Sequence, residues 1–357
     1  MNTHATHETG ANAAPPTSEP DSADRRRLLG LINASWTTQV IAAAVELGLV
    51  DAMAAGPSSP RDLGRVCHVH EASLHRLLRA LASIDLCRQV DDECFVLTPT
   101  GALLQDDIAN SLAAWAALSG TRAWDQWGRL AESVKTGESI RKRTLDHDDF
   151  SHLDEDAAAA ALFNRAMVGL TAPVAAELAR VVDFSGVRSV VDVGGGYGQL
   201  LCSVLQAWPA VHGVLFDMAH ATGALAPHFS DAGVAVRCQR VTGSFFDAIP
   251  GAADAYLLKS ILHDWDDERC LAILRTCRRA MHSKARLLVV ERIASVNVGP
   301  NPHDQLVARS DLNMMIANGG CERTEIEYRR LLEGTGLKLA QVTGLVSGFS
   351  VIEAVAI

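Results

Sequence analysis

The stretch that most constrains this chain is R-S-V-V-D-V-G-G-G-Y-G-Q-L-L at positions 188–201. An apolar run of Val190, Val191 and Val193, too short for a helix, meets four glycines and then a pattern of helical spacing. That order predicts strand, tight turn, helix, with bare backbone where a ligand can approach closely. A dinucleotide fingerprint would need glycine at 199, where Gln199 stands, and Gly198 falls one place early. The next short apolar run ends in Asp217, whose carboxylate, at the end of a second parallel strand, could accept from both ribose hydroxyls. The pattern points to a nucleoside without a pyrophosphate.

At 357 residues the chain can hold two domains and bury a sizeable core. Its net charge of −10 argues against broad nucleic-acid binding. Eight scattered cysteines with no C-x-x-C pair predict reduced thiols in the cytoplasm. Cys67-His68-Val69-His70 reads as a turn between two short helices, since no partner pair lies at ligand spacing, and no metal is expected. No apolar run is expected to span a membrane. Residues 1–24, rich in Ala, Thr, Pro and Glu, are expected to form a disordered tail.

Residues 25–110 read as a winged-helix-like domain. Helical spacing runs to about Val50, a short helix starts at Pro60, a stronger one covers 71–84, and a hairpin covers 86–97 around Asp91-Asp92. His75, Arg76 and Arg79 on the second helix allow a DNA-binding reading. The balance of acids and bases favours packing against a second subunit instead, with part of 28–49 in the interface. Residues 111–184 read as a helical linker, with Trp115, Trp124 and Trp127 as core and 141–154 as a charged surface loop. Phe163 and Met167, four apart on the helix they open, point the same way. From 185 to 357 strands and helices alternate, predicting a doubly wound parallel sheet with an antiparallel addition at 338–343 and 349–356. Strands are expected at 189–193, 213–216, 234–238, 255–259 and 285–291.

Ligands sit at the carboxyl ends of such strands. That rule selects 194–198, Asp217, Ser244-Phe245-Phe246, 259–264 and Glu291. Phe245 could lie on a base with Ser244 at its edge, or both phenylalanines could be core. In L-K-S-I-L-H-D-W-D-D-E, Asp266 reads as the cap of the following helix rather than a metal ligand. His263, at the site end of a strand, is positioned to take a proton at neutral pH. Glu291, or Glu322 in N-G-G-C-E-R-T, could orient its imidazole, although Glu322 could equally pair with Arg323 at the surface.

V-D-V-G-G-G-Y-G, L-K-S-I-L-H-D-W-D-D, V-V-E-R and D-L-N-M-M with N-G-G-C-E-R-T, in this order, resemble the S-adenosylmethionine-dependent O-methyltransferases of the caffeic-acid type. The bacterial branch acting on aromatic natural products is the most similar, over roughly 28–357. The resemblance implies a class I methyltransferase fold with a seven-stranded, mostly parallel sheet behind an N-terminal dimerisation domain, and hence a homodimer. It implies that Gly194, Gly195 and Gly196 hold the methionine part of the cofactor and that Asp217 takes the ribose. Ser244 and Phe245 would flank the adenine, with Lys259 and Thr171 also at the cofactor. His263 would be the base, bracketed by Glu291 and Glu322. Phe163, Met167, Asp264, Asn313, Met314 and Asn318 would line the acceptor pocket. Ser244 departs from the family's usual acid, and Cys321 from a common lysine. Two other readings stay open: a relative that has turned to hydroxylation or decarboxylation, and a ligand-sensing transcription regulator.

Overall fold

A computed structural model describes residues 21–357 except 92, 148 and 223–226. The expected tail therefore lies outside the described residues up to position 20. Its last part is helix. Asp21 accepts from the backbone N–H groups of Ala23 and Asp24, while Asp24 accepts from Asp21, and this capping box starts a 25-residue helix at Ser22–Glu46.

The N-terminal lobe follows the expected winged-helix order. Helices Leu49–Ala52, Pro60–Val66 and Glu71–Ser83 precede an antiparallel pair, β1 (Cys87–Gln89) and β2 (Phe95–Leu97). Leu74, Leu78 and Leu81 bury one face of the third helix against Leu49, Met53 and Phe95. The first helix is different: Leu28, Leu31, Ile32 and Trp36 stay exposed, Trp36 at 66%.

The second lobe is built on a seven-stranded sheet: β3 (Ser189–Val193), β4 (His212–Asp217), β5 (Cys238–Thr242), β6 (Ala255–Lys259), β7 (Arg286–Glu291), β8 (Leu337–Gly344) and β9 (Ser350–Ala356). The spatial order is β5-β4-β3-β6-β7-β9-β8, with β3 to β7 parallel and β8 and β9 antiparallel. This is the class I methyltransferase architecture. Side chains alternate between two cores: Tyr256, Leu258, Leu287 and Val289 on one face, Leu257, Leu288 and Val290 on the other. Strand order reverses at β3, which opens the crevice above the carboxyl ends of β3, β4 and β6.

Three expectations need correction. The strand placed at 234–238 begins four residues later, because Ala235–Arg237 is a 3-10 turn held by Arg237 on the Leu205 and Val211 carbonyls. The segment 141–154 is not loop throughout: helices Ile140–Leu145 and His152–Glu155 take up most of it, and although 142–146 stay exposed, Leu153 is buried. Two helices, Ser22–Glu46 and Ala157–Val181, are long and apolar enough to cross a bilayer by composition, although no such run was expected. The second is built into this protein, packed on helices Ala113–Gly120 and Gln199–Ala207. It starts at Ala157, where Asp156 accepts from Ala159 N–H, ahead of Phe163 and Met167.

Candidate active site

The glycine turn after β3 forms because its neighbours leave no room for side chains. A Cβ on Gly195 would lie 2.5 Å from Leu215 Cδ1 and 2.7 Å from Asp192 Cγ, and one on Gly194 would collide with Ile261. Gly194, Gly196 and Gly198 all have positive φ, at 69°, 57° and 79°. Asp217 ties the turn to the end of β4: its Oδ2 accepts from Gly196 N–H (2.7 Å) and its Oδ1 from Met218 N–H (2.6 Å). Burial raises the Asp217 pKa, and these two bonds oppose the rise. Beneath the turn Asp192 is fully buried with one oxygen unpartnered, and burial plus the Asp217 charge push its pKa to about 7.

Above these strand ends lies a cavity of about 1100 Å³. It is ample for a nucleoside with a second aromatic molecule beside it. Thr171, Gly194, Gly195, Gly196, Asp217, Ser244, Phe245 and Lys259 all line it, as do Phe163, Met167, His263, Asp264, Asn313, Met314 and Asn318. Fifteen of the residues singled out from the sequence thus share one chamber. Phe245 packs on the core and on Trp265 (6.1 Å between centroids) and also lines the cavity. Ser244 Oγ accepts from Phe246 N–H at 3.2 Å. Burial lowers the Lys259 pKa to about 8, and Glu291, Asp264 and Asp192 partly offset that.

Glu291 and Glu322 stand behind the wall, and their tasks differ. Glu291 Oε1 accepts from the backbone N–H groups of Ile261 (3.0 Å), Leu262 (2.9 Å) and His263 (3.4 Å), so it caps the short turn that carries the imidazole. Its Oε2 is unpartnered, 3.7 Å from His263 Nδ1, and burial, with Glu322 alongside, raises the Glu291 pKa to about 7. Glu322 Oε1 takes the imidazole itself, 3.0 Å from His263 Nδ1, and also accepts from Ser310 Oγ at 2.6 Å. Glu322 is therefore not a surface partner of Arg323. That arginine is 2% exposed and clamps the same turn from below, donating to the carbonyls of Leu262 and Trp265 and to Asp267.

Burial alone would depress the His263 pKa, but the charges of Glu291, Asp264 and Glu322 raise it to about 9. With Nδ1 committed to Glu322, Nε2 is the nitrogen left to work, 3.8 Å from Asp264 Oδ1. One ligand-type atom from each of His263, Glu291 and Glu322 lies within 4.8 Å of the others. Asp266 caps helix Asp267–Ala280 as expected, accepting from Arg269 N–H at 2.8 Å.

Several wall residues were not foreseen. Trp115 and Trp127 line the chamber instead of filling a core, and Trp127 Nε1 donates to Asn313 Oδ1 at 2.9 Å. Trp124 is 38% exposed. Phe150, Arg141 and His152, from the segment expected at the surface, also reach the chamber. Aromatics spaced through a helical stretch carry no sign of which side is solvent, core or cavity. Only the Asn318 contact to Asp264 and the packing of helix Pro302–Ala317 show how the far wall closes.

The chain matches the O-methyltransferase domain family over residues 127–338 and the O-methyltransferase dimerisation domain over 29–107. It is 39% identical to the 3-amino-4-hydroxybenzoate 4-O-methyltransferase of Streptomyces cremeus, over 91% of this chain and 88% of that one. The phenazine O-methyltransferase PhzM of Lysobacter antibioticus is 35% identical, over 92% of this chain and 95% of its own length. The crystal structure of LaPhzM superposes with a TM-score of 0.88 at 34% identity, covering 93% of this chain and 99% of that one. NcsB1, solved with S-adenosyl-L-homocysteine and 1,4-dihydroxy-2-naphthoic acid, gives 0.72 at 30% identity, covering 90% and 96%. Two relatives bear names of other reactions: the phenazine-1-carboxylate N-methyltransferase of Pseudomonas aeruginosa, 29% identical over 90% of this chain and 94% of its own, and the aclacinomycin 10-hydroxylase RdmB of Streptomyces purpurascens, 32% identical over 95% and 92%. A glycine turn at the switch point, a carboxylate at the next strand end and a glutamate-backed histidine, matched over this length and identity, make this protein a member of the O-methyltransferase family.

Proposed function

We propose that this enzyme transfers a methyl group from S-adenosylmethionine to a phenolic hydroxyl of an aromatic secondary metabolite, with His263 as the general base. The observation that carries the reading is the imidazole held by Glu322 through Nδ1 on the wall of the chamber that also exposes the glycine turn and Asp217. The donor fits the chamber. Its adenosine would find the bare backbone of Gly194–Gly196, the Asp217 carboxylate for the ribose and Phe245 for the base, with Lys259 and Thr171 alongside. When bound, S-adenosylmethionine supplies a strongly electrophilic sulfonium methyl.

The chain's own tasks are alignment and proton removal. The wall of Phe163, Met167, Asn313, Met314 and Asn318 would fix the acceptor ring, and holding reactants in register contributes several kcal/mol. A phenol ionises near pH ~10, so at neutrality it needs a base. His263 accepts that proton at Nε2 from its neutral form, the minor form at neutrality for a pKa of about 9, while Glu322 steadies the resulting imidazolium at Nδ1. Such a base contributes about 10²–10⁴-fold. This requirement favours oxygen over nitrogen as acceptor atom, because a neutral amine attacks through its lone pair without prior deprotonation.

His263→Ala is expected to retain S-adenosylhomocysteine binding by calorimetry and to lose most turnover. Near-normal turnover would remove the base assignment. Mass spectrometry of the product separates the rivals: a gained CH2 on oxygen supports the proposal, on nitrogen it moves this chain to the N-methyltransferases, and a gained oxygen to the hydroxylases. Undiminished turnover in chelator is expected, and loss of activity would turn His263, Glu291 and Glu322 into a metal site. The exposed apolar stripe of the first helix supports a homodimer formed through the N-terminal lobe, and the eight free cysteines fit a cytoplasmic protein.

A further inference from the structure

We propose that the bound methyl donor itself expels the proton from His263, so that the base becomes competent only beside the sulfonium it serves. The proposal rests on the methyl-transfer reading and adds to it how the base is switched on. Three carboxylates crowd the imidazole: Glu322 Oε1 at 3.0 Å and Glu291 Oε2 at 3.7 Å from Nδ1, and Asp264 Oδ1 at 3.8 Å from Nε2. The side chains of both glutamates are fully buried, so solvent screens their charges little.

The other charged and titratable groups around the ring leave that surround acidic. Lys259 at the end of β6 and Arg292 just after β7 direct their cationic ends to the Phe349 ring, 5.2 and 4.1 Å from its centroid. Arg323 pairs with Asp267 at 2.8 Å beneath the turn. On helix Pro302–Ala317, Arg309 turns back to the Gln305 carbonyl (2.7 Å), and Asp311 accepts from Glu322 N–H (2.8 Å). Arg141 acts on Asp264 from helix Ile140–Leu145. Tyr328, Cys270 and Cys321 stay neutral, since burial raises the pKa of each. The acids prevail, holding the ring's pKa at about 9 against a burial that lowers it. With no cofactor bound, the imidazole is therefore mostly cationic at neutrality and cannot take a proton.

His263 lines the same chamber as the glycine turn, Asp217 and Thr171. In-line transfer needs one acceptor oxygen to meet both the methyl group and the imidazole, so ring and sulfonium face each other across little more than that oxygen. Two positive charges so placed oppose each other, and a like charge lowers the pKa of the group able to release a proton. Only the imidazolium is such a group. Transfer then restores the first arrangement. The phenol O–H bond breaks as an N–H bond forms at Nε2, and the S–CH3 bond breaks, its electron pair passing to sulfur, as the O–CH3 bond forms. The ring regains its positive charge among three carboxylates, facing a neutral thioether.

The test is NMR of the whole protein carrying 15N in its histidine rings. The rings are titrated from about pH 6 to about pH 9.5 without an acceptor, once saturated with S-adenosylmethionine and once with S-adenosylhomocysteine. The His263 signals are those missing from His263→Gln or, should that variant misfold, from His263→Asn. The His263 pKa should lie about one to two units lower with S-adenosylmethionine than with S-adenosylhomocysteine, about 10- to 100-fold weaker proton binding. Equal pKa values in the two complexes, a shift confined to other histidines, or a ring already neutral at pH ~7 beside S-adenosylhomocysteine would overturn the proposal. If neither cofactor binds, the methyl-transfer reading has failed first, and this proposal falls with it.

Discussion

His263 and its two glutamates show how two acids at one imidazole can do different work. Glu322 holds the ring by charge and hydrogen bond, whereas Glu291 holds the backbone that carries the ring. Glutamine in place of Glu322 can still accept from Nδ1 but no longer stabilises the imidazolium. Removing that negative charge lowers the His263 pKa from about 9. The rising limb of kcat/KM against pH, which reports the free enzyme's base, should therefore move to lower pH by about one unit or more, with a lower plateau. Glu291→Gln keeps a carbonyl for the three N–H groups but also removes a charge that raises the His263 pKa, so its rising limb should move to lower pH as well while the turn stays held. Glu291→Ala should lose both turnover and thermal stability. A melting temperature of Glu291→Ala equal to that of Glu291→Gln would refute the division. Histidine at a strand end was legible in the sequence because strand ends are where this topology puts ligands. The contact that holds its imidazole, to a residue 59 positions away, was open between two acids until the chain was folded.

At the scale of elements, the glycine turn is held from below as much as it is shaped for a ligand. Gly195→Ala would force a methyl against Leu215 and Asp192, at a cost of about 1–3 kcal/mol, and would displace the neighbouring Gly196 N–H from Asp217. A lowered melting temperature together with weaker S-adenosylhomocysteine binding is expected. An unchanged melt would mean that the packing relaxes freely. The central strands were readable to the residue, β3 at 189–193 and β6 at 255–259, because strands buried on both faces are nearly continuous apolar runs, interrupted in β3 only by the buried Asp192. β5 was misplaced by four residues because it lies at the sheet edge, where C-Q-R-V-T is mostly exposed and its position comes from pairing with β4. The helices at Ile140–Leu145 and His152–Glu155 were missed for a related reason. They are short and charged, and their apolar residues are too few to show a period.

At the scale of the molecule, the N-terminal lobe leaves an apolar stripe uncovered on its first helix, with Leu28 at 58%, Leu31 at 65% and Trp36 at 66% exposure. Light scattering should give twice the mass of the 38.1 kDa chain. Trp36→Asp with Leu31→Asp should shift it to one chain while the lobe's internal core around Leu78 and Phe95 stays folded. A dimer that survives both changes would place the interface elsewhere. The chamber itself is made from two sources. The strand ends of the sheet supply the turn, Asp217, Lys259 and the approach to His263, while helices outside the sheet supply Trp127, Phe163 and Asn313, and the bend before helix His152–Glu155 supplies Phe150. On the proposed reading, donor handling and acceptor choice would therefore reside on separately replaceable scaffolding. Helical segments borrowed from a cousin with other tastes could redirect the catalyst to a new small molecule without its methyl-donor grip having to be rebuilt.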